Sequence, residues 1–289
     1  MQLDLFEHSQ QVVLRNAVIG AVKCRDVAGS KVAVAALAAA YAADPLLPDM
    51  ETLCHCIGAG AWPSGLRTTD AAIRLQDAER LLEPAARRVF GTTADAWLSP
   101  FWLDLARAMA GLPFDPRAEK LHAVPLHMRG GDWQAAVAAI EAIPSWRRQP
   151  APLSWMIEAR FHVDGLEAVW PLIAELAWMA PQRARLSSSR LADPRLARLL
   201  HRFDTEFEDS DAENGFAWFP AWLLVEDGHL ADKLKLAEQG CLTLPERCTR
   251  LVMTLLVLER QGRHTEVVDN RRRLREVNST LFALYMQNR

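Results

Sequence analysis

Gly131-Asp132-Trp133-Gln134-Ala135-Ala136-Val137-Ala138-Ala139-Ile140 is the stretch on which the fold reading turns. A glycine opens it, and apolar residues then recur at helical spacing through Val137, Ile140 and Ile143 before Pro144 and Pro150 close the run. That pattern is a turn followed by an amphipathic helix. It recurs. Gly165 is followed by Leu166, Val169, Ile173 and Leu176, with Trp170 among them, up to Pro181. Gly262 leads into Val267 and Val268. Gly131 and Gly165 are 34 residues apart (165 − 131), as are Gly228 and Gly262 (262 − 228). No segment sustains the period-2 alternation of a strand. The chain therefore predicts about a dozen helices of roughly 10–18 residues joined by short connections, an all-α fold of antiparallel hairpins.

A hairpin period of this length, carrying these residues, resembles the tetratricopeptide (TPR) family. In that family a glycine closes the first helix, an aromatic follows two residues later, and a small residue three further on admits close packing. Gly131, Trp133 and Ala136 match this half of the pattern. Ala123 and Val124 stand where the family places Leu-Gly, and His264 and Val267 occupy the aromatic and small slots after Gly262. The resemblance covers residues 115–180 and 228–278. It implies one stacked, TPR-like array of roughly six hairpins over residues 1–289, whose concave face takes a protein or peptide.

Helix starts are read from side-chain acceptors ahead of proline. Ser99-Pro100, Asp115-Pro116 and Asp193-Pro194 each predict an N-cap with proline at the first helical position. Thr243-Leu244-Pro245-Glu246 predicts a capping box. Asp49, Asp70 and Asn214 are further expected caps. A first hairpin is expected with Ser9 capping a helix through Cys24, and Ser30 to Ala43 as its Ala-rich partner. Residues 58–69 read as a loop and a sub-boundary, with residues 1–8 as a lead peptide. Six arginines between Arg183 and Arg202 precede the acidic run Asp204 to Glu213, and the two together read as a solvated connection.

Composition bounds the function. The 289 residues carry 33 Lys+Arg against 36 Asp+Glu, a net charge of −3, with half the residues apolar. This excludes disorder as the main state and argues against a polycationic nucleic-acid binder. Two acids in the first seven residues are not a secretory signal, and no apolar run approaches the ~20 residues needed to span a bilayer. Five cysteines, an odd number, predict reduced thiols and a cytoplasmic setting. Ten tryptophans against two tyrosines predict indole-filled gaps between helices. The common phosphate, dinucleotide, zinc-protease and serine-hydrolase motifs are missing. Cys54-His55-Cys56 lacks the second ligand pair that a structural zinc site requires. No cofactor, metal or catalytic residue is assigned. An enzyme would have to gather several of His122, His127, Glu158, His162 and Asp164 into one pocket.

Gln2-Leu3-Asp4-Leu5-Phe6 carries the sharpest signal. It resembles the pentapeptide by which bacterial polymerases and repair or replication-control proteins bind the β sliding clamp, Gln-Leu-Ser/Asp-Leu-Phe, at all five positions. Those peptides bind extended in a hydrophobic cleft. The resemblance implies that Gln2 hydrogen-bonds, Leu5 and Phe6 fill a deep apolar pocket, Leu3 adds apolar contact, and Asp4 is the tolerant position. Burying such side chains is worth roughly 1.5–3 kcal/mol each. The competing local arrangement packs Leu3, Leu5 and Phe6 back on the first hairpin, with Phe6 against Val12 or Val13. The sequence thus predicts a non-enzymatic adaptor with a protein or peptide partner, the β clamp being the named one. Neither membrane insertion nor direct nucleic-acid binding is expected. An enzyme and a structural subunit are the alternatives.

Overall fold

Helices are the only regular elements among the described residues, which in this computed structural model are 2–59, 65–207, 215–238 and 240–288, with the side chains of residues 2–9 outside the description. The fold is all-α, and no described helix is long and apolar enough to cross a membrane. The chain divides into two compact units, Met1–Asp132 and Trp133–Arg289. Residues 58–59 and 65–69 lie inside the first unit, and residues 60–64 lie outside the described residues.

The first unit contains α1 (Gln2–Lys23), α2 (Val27–Ala40), α3 (Leu47–Gly58), α4 (Thr68–Asp77), α5 (Glu83–Phe90), α6 (Ala94–Met109) and α7 (Ala123–Arg129). Its core joins Val18 and Val22 of α1, Leu37 of α2, Met50 and Leu53 of α3, and the Trp97–Met109 face of α6. Ser9 is interior to α1 rather than its cap, because the helix already begins at Gln2. The partner helix α2 starts at Val27, capped by Asp26, whose carboxylate accepts the Gly29 N–H at 2.9 Å. Helices α4 and α5 are joined without a break by a π turn, Ala78–Leu82, closed by the Glu83 N–H to the Ala78 carbonyl. Pro84 follows at once. It has no N–H to give to the carbonyl four residues back and its ring crowds that group, so the widened turn sits where the α ladder cannot continue.

Four further expected caps in this unit are corrected. Ser99-Pro100 lies inside α6, not at its start. Gly91, at φ +55°, and the 3-10 turn Gly91–Thr93 set the boundary upstream, and the Ser99 hydroxyl donates instead to the Gly130 carbonyl at 2.6 Å. Asp115 forms an Asx turn, its carboxylate accepting the Arg117 N–H at 2.9 Å, and no α-helix follows Pro116 directly. Asp49 and Asp70 sit within the first turns of α3 and α4, beyond the cap, where a negative charge still complements the helix dipole.

The second unit contains α8 (Trp133–Glu141), α9 (Pro150–Asp164), α10 (Leu166–Met179), α11 (Pro181–Arg190), α12 (Pro194–Glu206), α13 (Phe219–Glu226), α14 (Ala231–Leu234), α15 (Leu244–Arg260), α16 (His264–Val277) and α17 (Ser279–Gln287). Consecutive helices pack from α8 through α11 and from α15 through α17. Helices α10 and α13 touch, and residues 169–178 of the one and 219–225 of the other are buried without interruption. A helix buried all round belongs at a centre. Gly165 and Gly262 adopt φ +80° and +67° between successive helices, and Gly131 adopts +75°, whereas Gly228 opens a 3-10 turn without a positive φ. The arginine run is α11 and α12, ordered helices rather than a solvated connection, with Leu196, Leu200 and Phe203 on the buried side of α12. Asp193 caps α12 as expected, accepting the Leu196 N–H at 2.8 Å with Pro194 at the first position. Asn214 lies outside the described residues.

Candidate functional site

The backbone of Gln2–Phe6 is the first turn and a half of α1, and the five side chains lie outside the description. The anchoring of α1 is described from Gln10 onward. Gln11 and Arg15 both donate to the Asp44 carboxylate, at 2.9 and 2.5 Å, and the Leu46 N–H closes on its other oxygen at 2.9 Å. Asp44 is buried, which alone would raise its pKa. The hydrogen bonds from Arg15, Gln11 and Leu46, with the charge of Arg15, outweigh burial and hold it below the ordinary carboxylate range. Val18 and Val22 are fully packed, while Val12 and Val13, the expected partners of Phe6, are half-exposed or more.

Tryptophan and arginine are used together. Among the described residues five tryptophans are buried, and each carries a guanidinium near a ring face: Arg25 at Trp97, Arg129 at Trp102, Arg195 at Trp170, Arg250 at Trp178 and Arg202 at Trp222, at 3.7–6.0 Å from the centroids. The indole Nε1 atoms of Trp170, Trp178 and Trp222 have no acceptor among the described residues, and the polar contact of these rings is at their faces. Two members of the arginine run thereby have internal partners. Arg195 pairs with Glu167 and Asp227 at 2.7 and 3.0 Å, and Arg202 with Glu206 and Glu226 at 2.9 and 2.6 Å. Arg185 pairs with Asp204, and residues 208–213 of the acidic run lie outside the described residues.

The histidines and acids that an enzyme would need fall on two elements, His122 and His127 at α7 in the first unit and Glu158, His162 and Asp164 on α9 in the second. His122 caps α7, its Nδ1 accepting the Val124 N–H at 3.3 Å, and burial lowers its pKa. Burial also lowers that of His127, against the charge of Asp132. In the second unit, His162 stacks on Trp133 with centroids 3.8 Å apart. Glu158, one turn earlier on α9, is raised by burial against the opposing charges of His162 and Arg190. Asp164 is held by Arg160 at 2.9 Å. Cys54, His55 and Cys56 diverge around α3: the Cys54 sulfur meets the Ser30 hydroxyl at 3.2 Å, and burial pushes Cys56 up to about 11. Among the described residues no three His, Cys, Asp or Glu side chains are placed to hold a metal ion.

Two buried glutamates grip the segment between α14 and α15: Glu175, which no local motif announced, and Glu246 of the capping box. Glu175 of α10 takes a bidentate bond from Arg147, at 3.0 and 2.6 Å, and the Glu238 N–H at 2.8 Å. Glu246 was expected to reach back to the cap N–H of Thr243. It accepts instead from Gly240, Cys241 and Leu242, at 3.3, 3.0 and 2.7 Å, while the Thr243 hydroxyl accepts the Glu246 N–H at 3.4 Å. The capping-box signature found the helix start, but the carboxylate satisfies the turn before it. Scans of protein-family models, curated proteins and solved structures each found nothing that matches this chain.

Proposed function

We propose that this chain is a non-enzymatic adaptor, a scaffold of TPR-like helical hairpins tethered to the bacterial β sliding clamp through Gln2–Phe6. The observation that carries the reading is the five-residue match Gln2-Leu3-Asp4-Leu5-Phe6. The hairpin part is supported by the glycine turns at Gly165 and Gly262 between packed consecutive helices. Extended capture requires the start of α1 to unwind. The opening turn is the cheapest part of a helix to lose, because its first N–H groups have no intrahelical acceptor. The bonds from Gln11 and Arg15 to Asp44 lie beyond the motif, so releasing residues 2–6 leaves that anchor of α1 in place.

The test is surface plasmon resonance on immobilised β clamp, with circular dichroism to verify folding. Wild type is expected to bind. Leu5→Ala/Phe6→Ala removes two pocket side chains worth roughly 3–6 kcal/mol together, so a loss of about 100-fold or more is expected. Equal and negligible binding by both proteins rejects the tether.

A further inference from the structure

We infer that the groove between α14 and α15 is a docking site for an acidic peptide segment with an aliphatic anchor, supplied by a partner protein. This deepens the adaptor reading and is independent of the clamp motif. The groove encloses about 510 Å³. Arg250, Met253, Thr254, Val257 and Gln261 of α15 and its C-cap recur at helical spacing along one wall. From Arg250 to Gln261 (261 − 250) that wall runs about 16 Å, the length of roughly five extended residues. Val257 in it is 46% exposed, a β-branched apolar side chain on the solvent side of a helix whose opposite face already packs Val252 and Leu255.

Charge selects the occupant. Lys235, Arg250, Arg260 and Arg263 line the groove against a single carboxylate, Asp232. Arg250 is engaged with Glu246, the Ala237 carbonyl and Trp178, and Arg263 with Glu266. Among the described residues no ion pair involves Lys235 or Arg260. Both are exposed, so two cations flank an aliphatic floor inside a chain whose net charge is −3. Phosphates would meet the same cations, but no aromatic side chain lines the groove to stack a base. An acidic peptide with one leucine-sized anchor satisfies both the floor and the rim.

The test is selection of random 12-residue peptides on the immobilised full chain, followed by fluorescence anisotropy of the enriched peptides. Enriched sequences are expected to carry two or more Asp/Glu around a Leu, Ile, Phe or Met. They should bind at least tenfold more weakly to Val257→Glu/Arg260→Glu and to Lys235→Glu, and more weakly as salt rises. All three positions are exposed, and circular dichroism verifies that the variants fold. No enrichment, enriched peptides without acids, or equal binding to the variants overturns the inference. So does displacement of the peptide by oligo-dT at equal charge, which would assign the groove to nucleic acid. Clamp binding measured on the same variants separates the readings: its loss in Leu5→Ala/Phe6→Ala alone concerns the tether, and loss of peptide binding in the groove variants alone concerns this site.

Discussion

At the scale of single residues, carboxylates in this chain are distinguished by what meets them. Asp44, Glu175 and Glu246 are all buried and all satisfied by several donors. Glu158 meets no such donor among the described residues: burial raises its pKa, as it also raises that of Glu175, and only the charges of His162 and Arg190 oppose the shift. A carboxyl raised in the folded state binds protons more tightly there than in the unfolded chain. Its ionisation therefore costs stability as pH rises from the ordinary carboxylate range, ~4.3, through the raised value, and the cost is complete above it. Glu158→Gln is expected to raise the melting temperature at pH 7, with the advantage shrinking toward zero at pH 4 and below. A variant less stable than wild type at pH 7 would contradict this account. Asp44 has the opposite sign. Its lowered pKa contributes stability above the ordinary range, and that contribution is lost as acid protonates it.

At the scale of elements, the same local signal gave opposite outcomes. Asp193-Pro194 starts a helix, and Ser99-Pro100 sits seven residues into one. The difference lies upstream. A cap needs a break before it, and the Ser188–Asp193 turns supply one, whereas Ala94 to Leu98 is already helical and holds Trp97 and Leu98 in the core. Proline inside α6 costs about 3 kcal/mol and is carried by that burial. Glycine turns were more legible because glycine alone adopts a positive φ without a Cβ clash, as at Gly131, Gly165 and Gly262. Gly165, at φ +80° and ψ −177°, has open space around an added Cβ, so Gly165→Ala meets backbone strain alone and should cost about 1–3 kcal/mol by urea denaturation. Gly20, inside α1 and equally open, is the contrast: Gly20→Ala should stabilise by about 0.5–1 kcal/mol. Equal effects of the two substitutions would remove the strain argument.

At the scale of the whole molecule, each unit has its own buried interior: α1, α3 and α6 meet in the first, and α10 and α13 in the second. A fragment of residues 1–132 is therefore expected to be helical and to unfold cooperatively in urea. A fragment with non-cooperative loss of helicity would show that its core depends on the rest of the chain. The sequence by itself determined the all-α class, the turns at Gly131, Gly165 and Gly262, the cap at Asp193, and the pentapeptide Gln2–Phe6 as a string of residues, since each depends on local backbone preference or residue identity. Tertiary structure alone decided that α10 and α13 are buried all round, that Arg195, Arg202 and Arg250 lie near indole faces, and that Glu175 and Glu246 hold the segment before α15. It also decided that Lys235, Val257 and Arg260 share one groove. The physical reason is that each of these is a pairing between residues far apart along the chain or on different elements. No local preference encodes such a partner until packing brings it within contact distance.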